Sequence, residues 1–303
     1  MKNPELSVIV LSHNTRKLLS DCLKSLEKRR NEANFEVIVP DNGSTDGSPE
    51  MVEKDFPWVK RVVKIGKNLG FAAGNNKARQ FASGKYVLFL NSDTVVHKNT
   101  LKYTLTYLKK RRDVGALTCK IVLPNGELDK DTRRSFITPW IGLVHLYLRL
   151  DRIFPKSALF SKYWYGNISP EKTHEVDVIQ GAFFMVRRSI LDNVGWFDED
   201  YFLDGEDIDL CWRIKEKGWK IIYYPKVKIT HFKGSSKGKI ESNMRKNIPR
   251  LLRLKHRIAG VESMEIFVRK RLSEKYPKAF IIFVIIGIRL FKTIRFIRTI
   301  IFG

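Results

Sequence analysis

Short apolar runs alternate with helix-like spacings along the first 123 residues of the chain. The apolar runs predict five strands, which cover residues 6–11, 35–39, 59–65, 85–90 and 114–123. Between them, apolar residues recur with a helical period, and this spacing predicts helices at residues 15–30, 71–83 and 101–110. Because strands that alternate with helices are typical of βα units, we predict an α/β fold with a mainly parallel central sheet and flanking helices.

Polar residues follow three of these strands at the point where each strand ends. His13 and Asn14 follow the first strand, Asp41 follows the second, and the triplet Asn91-Ser92-Asp93 follows the fourth. In sheets of this kind, ligands bind beyond the carboxyl ends of the strands. Three clusters on one edge therefore predict a ligand site, whereas any one of them alone is also compatible with a turn or a helix cap.

Two glycine-bearing segments offer a close approach to a ligand. The first, KIGKNLGFAAGNN, contains Asn68, Gly70, Gly74 and Asn75. Its glycines admit close contact with the backbone, and the amides at the start of the following helix suit a phosphate or a sugar. Gly181, in VIQGAFFMVRR, is predicted to let a substrate approach the backbone in the same way.

Asp93 is a candidate ligand for a divalent cation. Mg²⁺ and Mn²⁺ favour oxygen ligands, and a carboxylate after a buried strand can hold a cation that bridges a diphosphate. The residues after Asp93 are expected to lead into a helix, with Thr94 or Lys98 near its start. His231 ends the apolar run VKITH, and it is predicted to contact the metal or the diphosphate if this strand ends near Asp93. The alternative for His231 is a structural or merely exposed histidine.

Three acids lie close together at a predicted helix start in LDGEDIDLCWRIKEKG. Glu206, Asp207 and Asp209 exceed what capping of the helix dipole requires. In a closed pocket, mutual repulsion would raise the pKa of one acid, whereas a metal or Arg213 would lower it. One of the three could therefore serve as a general base, and the alternative is a negatively charged cap.

Composition narrows the classes of protein without choosing a function. The chain has 303 residues, a length that suits one large domain or two ordinary ones, and 43% of them are hydrophobic, so it can bury a sizeable core. Its three cysteines lie far apart, which excludes a disulfide scaffold and a cysteine-type zinc site and fits a reducing compartment. No P-loop, GxSxG or HExxH motif occurs at a suitable place, and we expect no secretory signal at the start.

The formal net charge of +24 is concentrated at the end of the chain. Residues 232–303 hold 18 Lys and Arg against 4 Asp and Glu, a net of +14, which leaves +10 for the first 231 residues. This shift predicts a domain boundary in the loop FKGSSKGK. Nucleic acid, an anionic membrane and phosphorylated substrates are the three partners that such a charge can indicate. The chain shows no RRM-like or helix-turn-helix pattern, and we expect no nucleic-acid partner.

The tail combines the cations with aliphatic side chains. A polar, basic and helical stretch at 240–272, with a break or start near Pro249, precedes an uncharged apolar run at 279–288 that is too short to cross a bilayer alone. Cations then recur every third residue, at Arg289, Lys292, Arg295 and Arg298. A helix in the membrane interface needs this arrangement, and the alternative is a core or dimer helix with a basic edge.

An aromatic and aliphatic segment at residues 133–175 has two interpretations. It is either a helix packed on the sheet or a partly exposed acceptor flap or membrane-contacting surface.

Taken together, the motifs resemble those of the GT-A-fold family 2 glycosyltransferases, most closely the rhamnosyltransferase-like branch. The resemblance covers residues 5–236 and consists of seven patterns in order: LSVIVLSHN, VIVPDNGSTDGS, KNLGFAAGNN, YVLFLNSDT, VIQGAFFMVRR, GWFDEDYFLDGEDIDLCWR and ITHFKGSS.

The resemblance implies roles for the candidate residues. Asp41 would contact the nucleobase, and the other donor-binding residues would be His13, Asn14, Asn68, Gly70, Gly74, Asn75, Asn91, Asp93 and Gly181. Asp93 would be the principal carboxylate of a DxD-like motif and would bind Mg²⁺ or Mn²⁺ together with His231, whereas Asn91 replaces the first acid of that motif and is a weaker ligand. Asp207 would be the catalytic base, with Glu206 and Asp209 in the same site.

The resemblance also implies an organisation and a function. We expect a GT-A (Rossmann-like) domain at 1–236, with a nucleotide-sugar-binding half at 1–123 and an acceptor and catalytic half at 124–236, followed by a basic helical membrane-associating region at 237–303. An inverting transferase would move a sugar, with dTDP-rhamnose as the best guess for the donor, to a glycan or lipid-linked acceptor in cell-surface polysaccharide synthesis. It would work at the cytoplasmic face of the membrane, on an anionic surface. The alternatives are a UDP-hexose donor and an inactive glycan-binding or scaffold protein.

Overall fold

The structure is a computed structural model that describes residues 3–233 and 250–302. Its strands are β1 (Leu6–Leu11), β2 (Phe35–Asp41), β3 (Arg61–Lys64), β4 (Tyr86–Asn91), β5 (Thr94–Val96), β6 (Val114–Val122), β7 (His174–Glu175), β8 (Phe183–Arg187) and β9 (Lys220–His231). Its α-helices are α1 (Arg16–Glu27), α2 (Ser48–Asp55), α3 (Phe71–Asn76), α4 (Thr100–Lys110), α5 (Pro139–Gly142), α6 (Leu150–Ile153), α7 (Arg188–Val194), α8 (Glu206–Glu216), α9 (Arg250–Phe267) and α10 (Lys278–Phe302).

The strands form one mixed sheet in the order β3-β2-β1-β4-β8-β6-β9-β5, and β7 also pairs with β9. The first half is parallel, because β1 pairs in parallel with β2 and β4, and β2 with β3. β8 runs antiparallel to both β4 and β6, which gives β4, β6 and the parallel strand β9 the same direction. The carboxyl ends of β1, β2, β4 and β9 therefore meet at one edge, as the predicted α/β fold requires.

Helices cover both faces of the sheet. One face packs against α1, α2 and α4, with Leu23, Met51 and Leu105 in its core, and the other packs against α3, α7 and α8, with Ile190 and Leu210. Central strands such as β1 and β4 are almost continuously apolar because both of their faces are buried.

Three sequence predictions near the site were wrong in detail. No helix follows Asp93 directly: the β-branched residues Thr94–Val96 form β5 against the end of β9, and α4 begins at Thr100 after the left-handed Asn99. The turn after β2 hides a further helix, α2. The sequence before α2 looks like a turn because it contains Gly47, at φ 75°, and Pro49. Pro49 lies in the first turn of the helix, where its missing N–H costs no hydrogen bond. The helix predicted at 71–83 ends at Asn76 and is followed by a short 3₁₀ turn.

The tail is helical, as the sequence predicts, and α10 packs on α9. Ile281, Ile285 and Ile288 of α10 form a buried stripe with Val261 and Val268. The opposite side of α10 exposes large apolar residues: Ile282, Phe283, Ile286, Leu290, Phe291, Ile294 and Ile297. Within the described residues, no helix is both long and apolar enough to cross a membrane.

Two cations of the basic stripe of α10 contact the neighbouring helix. Arg289 lies 2.9 Å from Glu265, and Lys292 lies 2.7 Å from Glu262, and both of these acids belong to α9. The predicted boundary in FKGSSKGK falls largely in residues 234–249, outside the described residues, as does the predicted break near Pro249.

Candidate active site

The loops after β1 and β2 are tied to each other at the edge of the sheet. Asn14 has a left-handed backbone (φ 53°), its N–H donates to Ser44 Oγ at 2.9 Å, and its Oδ1 accepts from the Thr45 N–H at 2.8 Å. Asp41 Oδ2 in turn accepts from the Ser44 N–H at 2.9 Å. These bonds fix the loops before any ligand arrives, which reduces the ordering that binding requires.

Two polar atoms in this corner are buried without a protein partner. Within residues 3–233 and 250–302, neither Asp41 Oδ1 nor His13 Nδ1 has a hydrogen-bond partner. A buried polar atom without a partner is costly, so such atoms at a strand edge indicate a ligand that satisfies them. An acceptor on Asp41 suits the N–H of a nucleobase, which is the role that the resemblance implies for this residue.

Asn42, the neighbour of Asp41, positions the predicted donor segment. Its Nδ2 donates to Asn68 Oδ1 at 2.9 Å, and its Oδ1 accepts from the Leu69 N–H at 2.9 Å. The Gly70 N–H donates to the same Asn68 Oδ1 at 2.9 Å. Asn68 and Gly70 are therefore held against the end of β2, whereas Asn75 bonds within its own helix, to the Phe71 carbonyl oxygen.

Packing inside the protein explains the glycines of this region. A Cβ on Gly70 would lie 2.2 Å from the Phe202 carbonyl oxygen, and Gly70 has φ 87°. A Cβ on Gly74 would lie 2.8 Å from Leu11 Cδ1, and one on Gly181 would lie 2.8 Å from the Phe71 ring. The close approach expected at Gly181 is therefore made by Phe71, a side chain of α3. Gly70 brings the donor segment against the loop that leads into α8.

Asp93 and His231 come together at the ends of β4 and β9. His231 Nε2 lies 3.2 Å from Asp93 Oδ1 and 3.4 Å from Asn91 Nδ2, and its Nδ1 lies 3.4 Å from Asp129 Oδ2. All of these side chains except Asn91 are buried. The sequence condition for a functional His231, that its strand ends near Asp93, is met.

Two carboxylates stabilise the charged form of His231. Burial by itself lowers the pKa of the imidazole, but hydrogen bonds to Asp129 and Asp93 overcome this effect and raise the pKa to about 9. Burial raises the pKa of Asp129, yet bonds from His231 and Lys233 outweigh it and hold that pKa well below its ordinary range. Lys233 Nζ reaches Asp129 Oδ1 at 2.7 Å and also contacts Asp131. The result is a chain of alternating charges beside Asp93.

Asp207 lies at the start of α8 in an ion pair with Arg134. Arg134 Nη2 donates to Asp207 Oδ2 at 2.8 Å, and Asp207 is 8% exposed. Burial raises the pKa of Asp207, and the Arg134 guanidinium offsets part of that rise. A carboxylate with a raised pKa is a stronger proton acceptor near neutral pH. Glu206 opens the same helix and is also buried.

Asp209 has different surroundings from Asp207. It is fully buried, and its two oxygens accept from Arg213 Nε at 2.7 Å and from Arg271 Nε at 2.6 Å. Two residues apart on a helix, Asp207 and Asp209 point about 200° away from each other. Arg213 also donates to the Val194, Gly195 and Trp196 carbonyl oxygens. We call Asp209, Arg213 and Arg271 the Asp209 triad; it joins α8 to the tail.

Sequence reasoning missed four polar residues around the site. These are Asp129, Arg134, Gln180, whose Nε2 donates to Asp129 Oδ2 at 3.1 Å, and Lys233. Asp129 and Arg134 belong to a short stretch after β6 that contacts His231 at one end and Asp207 at the other. The alternation of acids and bases in GELDKDTRRS was the available signal.

A family model and curated sequences both match this chain. The model for glycosyl transferase family 2 matches residues 7–195. The N-acetylglucosaminyl-diphospho-decaprenol L-rhamnosyltransferase of Mycobacterium tuberculosis is 28% identical over 214 residues, which are 67% of this chain and 68% of that one. Rhamnosyltransferase WbbL of Escherichia coli is 25% identical over 241 residues, which are 74% of this chain and 82% of that one.

Solved structures share the fold. The mannosyltransferase PcManGT from Pyrobaculum calidifontis, in complex with GDP-Man and Mn²⁺, has a TM-score of 0.57 at 19% identity, covering 99% of this chain and 74% of that one. TarS of S. aureus (residues 1–349), in complex with UDP-GlcNAc, has a TM-score of 0.56 at 21% identity, covering 91% and 69%. These similarities confirm the predicted GT-A-like fold.

Proposed function

This chain belongs to glycosyl transferase family 2, and on that premise we propose that it is an inverting transferase that moves rhamnose from dTDP-rhamnose to a hydroxyl of a glycan or lipid-linked acceptor. The product would enter cell-surface polysaccharide. The observation that carries the proposal is the contact of Asp93 with His231 at the carboxyl edge of the sheet, 3.2 Å apart. The names of the similar rhamnosyltransferases from M. tuberculosis and E. coli support the donor and the acceptor class.

The donor would lie along the carboxyl edge, with its base at the open atoms of Asp41 and His13. Asn14 and the segment Asn68–Gly70 would line the nucleotide and sugar. The diphosphate would end near Asp93, where the positive charges of His231 and Lys233 are already arranged. Preorganised cations of this kind stabilise negative charge that develops on a leaving group.

Asp207 would act as the general base. Its carboxylate would take the proton of the acceptor hydroxyl while that oxygen bonds to the anomeric carbon, and the bond from this carbon to the diphosphate oxygen would break. The electron pair would leave with the nucleoside diphosphate, and the configuration at the anomeric carbon would invert. Arg134 would hold Asp207 in place and ionised between turnovers. No covalent sugar–enzyme intermediate is required.

The residues around Asp93 fit a divalent cation. A carboxylate, an amide and an imidazole converge there at Asp93, Asn91 and His231. In residues 3–233 and 250–302, no group of three or more His, Cys, Asp or Glu side chains could hold a metal by itself. This suits Mg²⁺ or Mn²⁺, because such ions often take one or two carboxylates from the protein and the rest from substrate phosphates. Bound at Asp93 and at the Nε2 of His231, which would lose its proton on binding, the ion would supply positive charge to the diphosphate in place of the imidazolium.

A donor screen tests the activity. The protein would be given dTDP-rhamnose, UDP-galactose, UDP-glucose and UDP-N-acetylglucosamine with a membrane acceptor fraction, and with Mg²⁺, Mn²⁺ or a chelator. We expect release of dTDP, dependent on the cation. Preference for a UDP-sugar would make that sugar the donor in place of dTDP-rhamnose. If no nucleoside diphosphate is released from any of the four donors, the alternative of an inactive glycan-binding protein is favoured.

The variant Asp207→Asn tests the base. We expect transfer to fall by about 10²–10⁴-fold, with the dissociation constant for the donor unchanged within a factor of about two. Asp192→Asn is the matched control, because Asp192 is a half-exposed acid on α7. Loss of donor binding in Asp207→Asn would instead assign this residue to the structure of the donor pocket.

The exposed side of α10 supports a location at the cytoplasmic face of the membrane. Seven large apolar side chains lie on this side, and cations flank them. An interfacial helix binds by burying such a face in the acyl region while its cations meet lipid phosphates. Deletion after Pro277 should shift the protein from the membrane toward the soluble fraction, and an unchanged distribution would contradict binding through α10.

A further inference from the structure

A second exposed apolar surface lies on the helical insertion, which we define as residues 139–164. The insertion follows the stretch that carries Arg134 and contains α5 and α6. Six of its large apolar side chains are between 44% and 66% exposed: Trp140, Leu143, Leu148, Ile153, Phe154 and Leu159. Several large apolar side chains exposed on one short segment of a folded protein indicate an interaction site.

The insertion has its own buried support, so its exposed side chains do not reflect an unfolded segment. Val144 and Ile141 are buried, and the His145 ring stacks on Tyr163 at 4.3 Å between centroids. Asp151 is buried between His145 Nδ1, at 2.8 Å, and Trp164 Nε1, at 3.2 Å. The apolar tips are therefore presented on an ordered platform.

The charge of the insertion indicates an anionic partner. Arg149, Arg152, Lys156 and Lys162 are all exposed, and within residues 3–233 and 250–302 none of them forms an ion pair. Asp151 is the one acid of the insertion, and it is buried. Exposed aliphatic and aromatic tips beside uncompensated cations complement an anionic lipid surface, which offers acyl chains and phosphates together.

One tryptophan connects this surface to the tail. The ring of Trp212, on α8, packs against Phe136 at 4.8 Å, directly before the insertion, and against Phe267 at 5.4 Å, at the end of α9. Lys275 lies over the same ring at 4.0 Å. On the other side, the Ser135 N–H donates to the Tyr163 carbonyl oxygen at 2.9 Å. Phe136, just before the insertion, and the tail residues Phe267 and Lys275 therefore all pack on Trp212 of α8, the helix that carries Asp207 in its first turn.

We propose that the helical insertion is a second membrane contact, which binds an anionic bilayer independently of α10. Two contacts fix an orientation that a single helix leaves free. The binding itself stands without the proposed activity. Its benefit, delivery of a lipid-linked acceptor to Asp207, rests on the proposed function.

The experiment measures binding of the full chain to vesicles of phosphatidylcholine with and without phosphatidylglycerol. The variant Arg149→Gln/Arg152→Gln/Lys156→Gln should lower the partition coefficient on the anionic vesicles by about 100-fold, at about fivefold for each cation. Tyr103→Ser, at an exposed aromatic residue of α4, is the matched control and should bind as the unaltered chain does. Equal binding by the triple variant and the unaltered chain would overturn the proposal.

A second measurement locates the contact and does not depend on affinity. Of the six tryptophans, all within the described residues, Trp140 alone is exposed. Brominated lipids quench the fluorescence of a tryptophan that touches the acyl region. We expect this quenching in the unaltered chain and its loss in Trp140→Phe, with the unfolding midpoint unchanged. Quenching that is absent, or that persists in Trp140→Phe, would refute the insertion contact while leaving both α10 and the transferase activity in place.

Discussion

The Asp209 triad should hold the tail on α8, and removing the charge of Asp209 should destabilise the protein without abolishing the proposed transfer. Asp209 is fully buried, and both of its oxygens accept from arginines at 2.6–2.7 Å. In Asp209→Asn, two guanidinium groups lose their shared counter-ion. Breaking a buried ion pair in this way costs about 3–5 kcal/mol, because the remaining charge is left uncompensated.

Removing the charge of Arg271, the tail residue of the triad, should lower the free energy of unfolding by less than Asp209→Asn does. Arg271→Gln leaves Asp209 paired with Arg213, and Arg271 is itself 21% exposed. A hydrogen bond to a charged group contributes about 1.5–3 kcal/mol, so this variant should be the milder of the two. Because the two residues share one interaction, the double variant should lose less than the sum of the single variants, by about 0.5–3 kcal/mol.

Urea unfolding of each variant measures these free energies, and a donor assay on the folded protein measures the transfer rate. Arg269→Gln is the matched control, since Arg269 pairs with Glu265 at the surface and should change the free energy of unfolding by at most about 1 kcal/mol. If Asp209→Asn leaves the stability unchanged but lowers transfer as far as Asp207→Asn does, Asp209 is part of the acid–base machinery and the triad argument is refuted.

Three further expectations concern the donor segment, the pH dependence and the tail. Gly70→Ala should raise the KM for the donor several-fold and destabilise the protein by about 1–3 kcal/mol more than Gly126→Ala does. Gly126 also has a left-handed backbone, but the space around its Cβ position is open. Equal effects of the two variants would exclude a clash between a Gly70 Cβ and Phe202. Burial raises the pKa of Glu36, but hydrogen bonds from Lys60, Ser7 and Ser83 outweigh this effect and lower that pKa below its ordinary value. Ionised Glu36 therefore stabilises the protein above the pKa of the unfolded state, and this stabilisation is lost as the pH falls through the pKa of the folded state. Glu36→Gln should therefore flatten the acid side of a stability–pH curve, and an unchanged slope would contradict this. Phe283→Ser with Ile286→Ser should weaken binding to membranes while leaving the unfolding midpoint unchanged, because both side chains are exposed on α10. A lowered midpoint would mean that these side chains pack inside the protein.

The sequence could predict which strand ends meet, because parallel strands bring their carboxyl ends to one edge. Asp41, Asp93 and His231 each follow or end an apolar run, and in the structure Asp93 and His231 are in contact. The positions of these side chains follow from strand direction alone, which local patterns reveal well.

The partners of these residues depend on irregular loops, and local patterns do not fix those. Asp129 reaches His231, and Arg134 reaches Asp207, only because the stretch after β6 folds back over the edge of the sheet. The sequence alone could not show that Asp209 has a different role from Asp207. Its role is set by Arg271, 62 residues further along the chain, which arrives through packing of the tail. The helix α2 was missed because its first turn carries the same residues as a loop.

Strand β9 has a consequence for the order in which the enzyme is made. β1 to β4 pair with one another and can assemble early, but β9 completes the sheet last, by pairing with β5, β6 and β7. Asn91 and His231 are 140 positions apart, which is about 7–28 s of synthesis at bacterial and eukaryotic ribosome speeds. The nascent chain carries Asp41 and Asn91 from the start of that interval, whereas Asp207 is made late in it and His231 at its end. With the roles proposed for Asp207 and His231, the donor-binding residues are therefore complete first, and transfer begins only when the end of the sheet has left the ribosome.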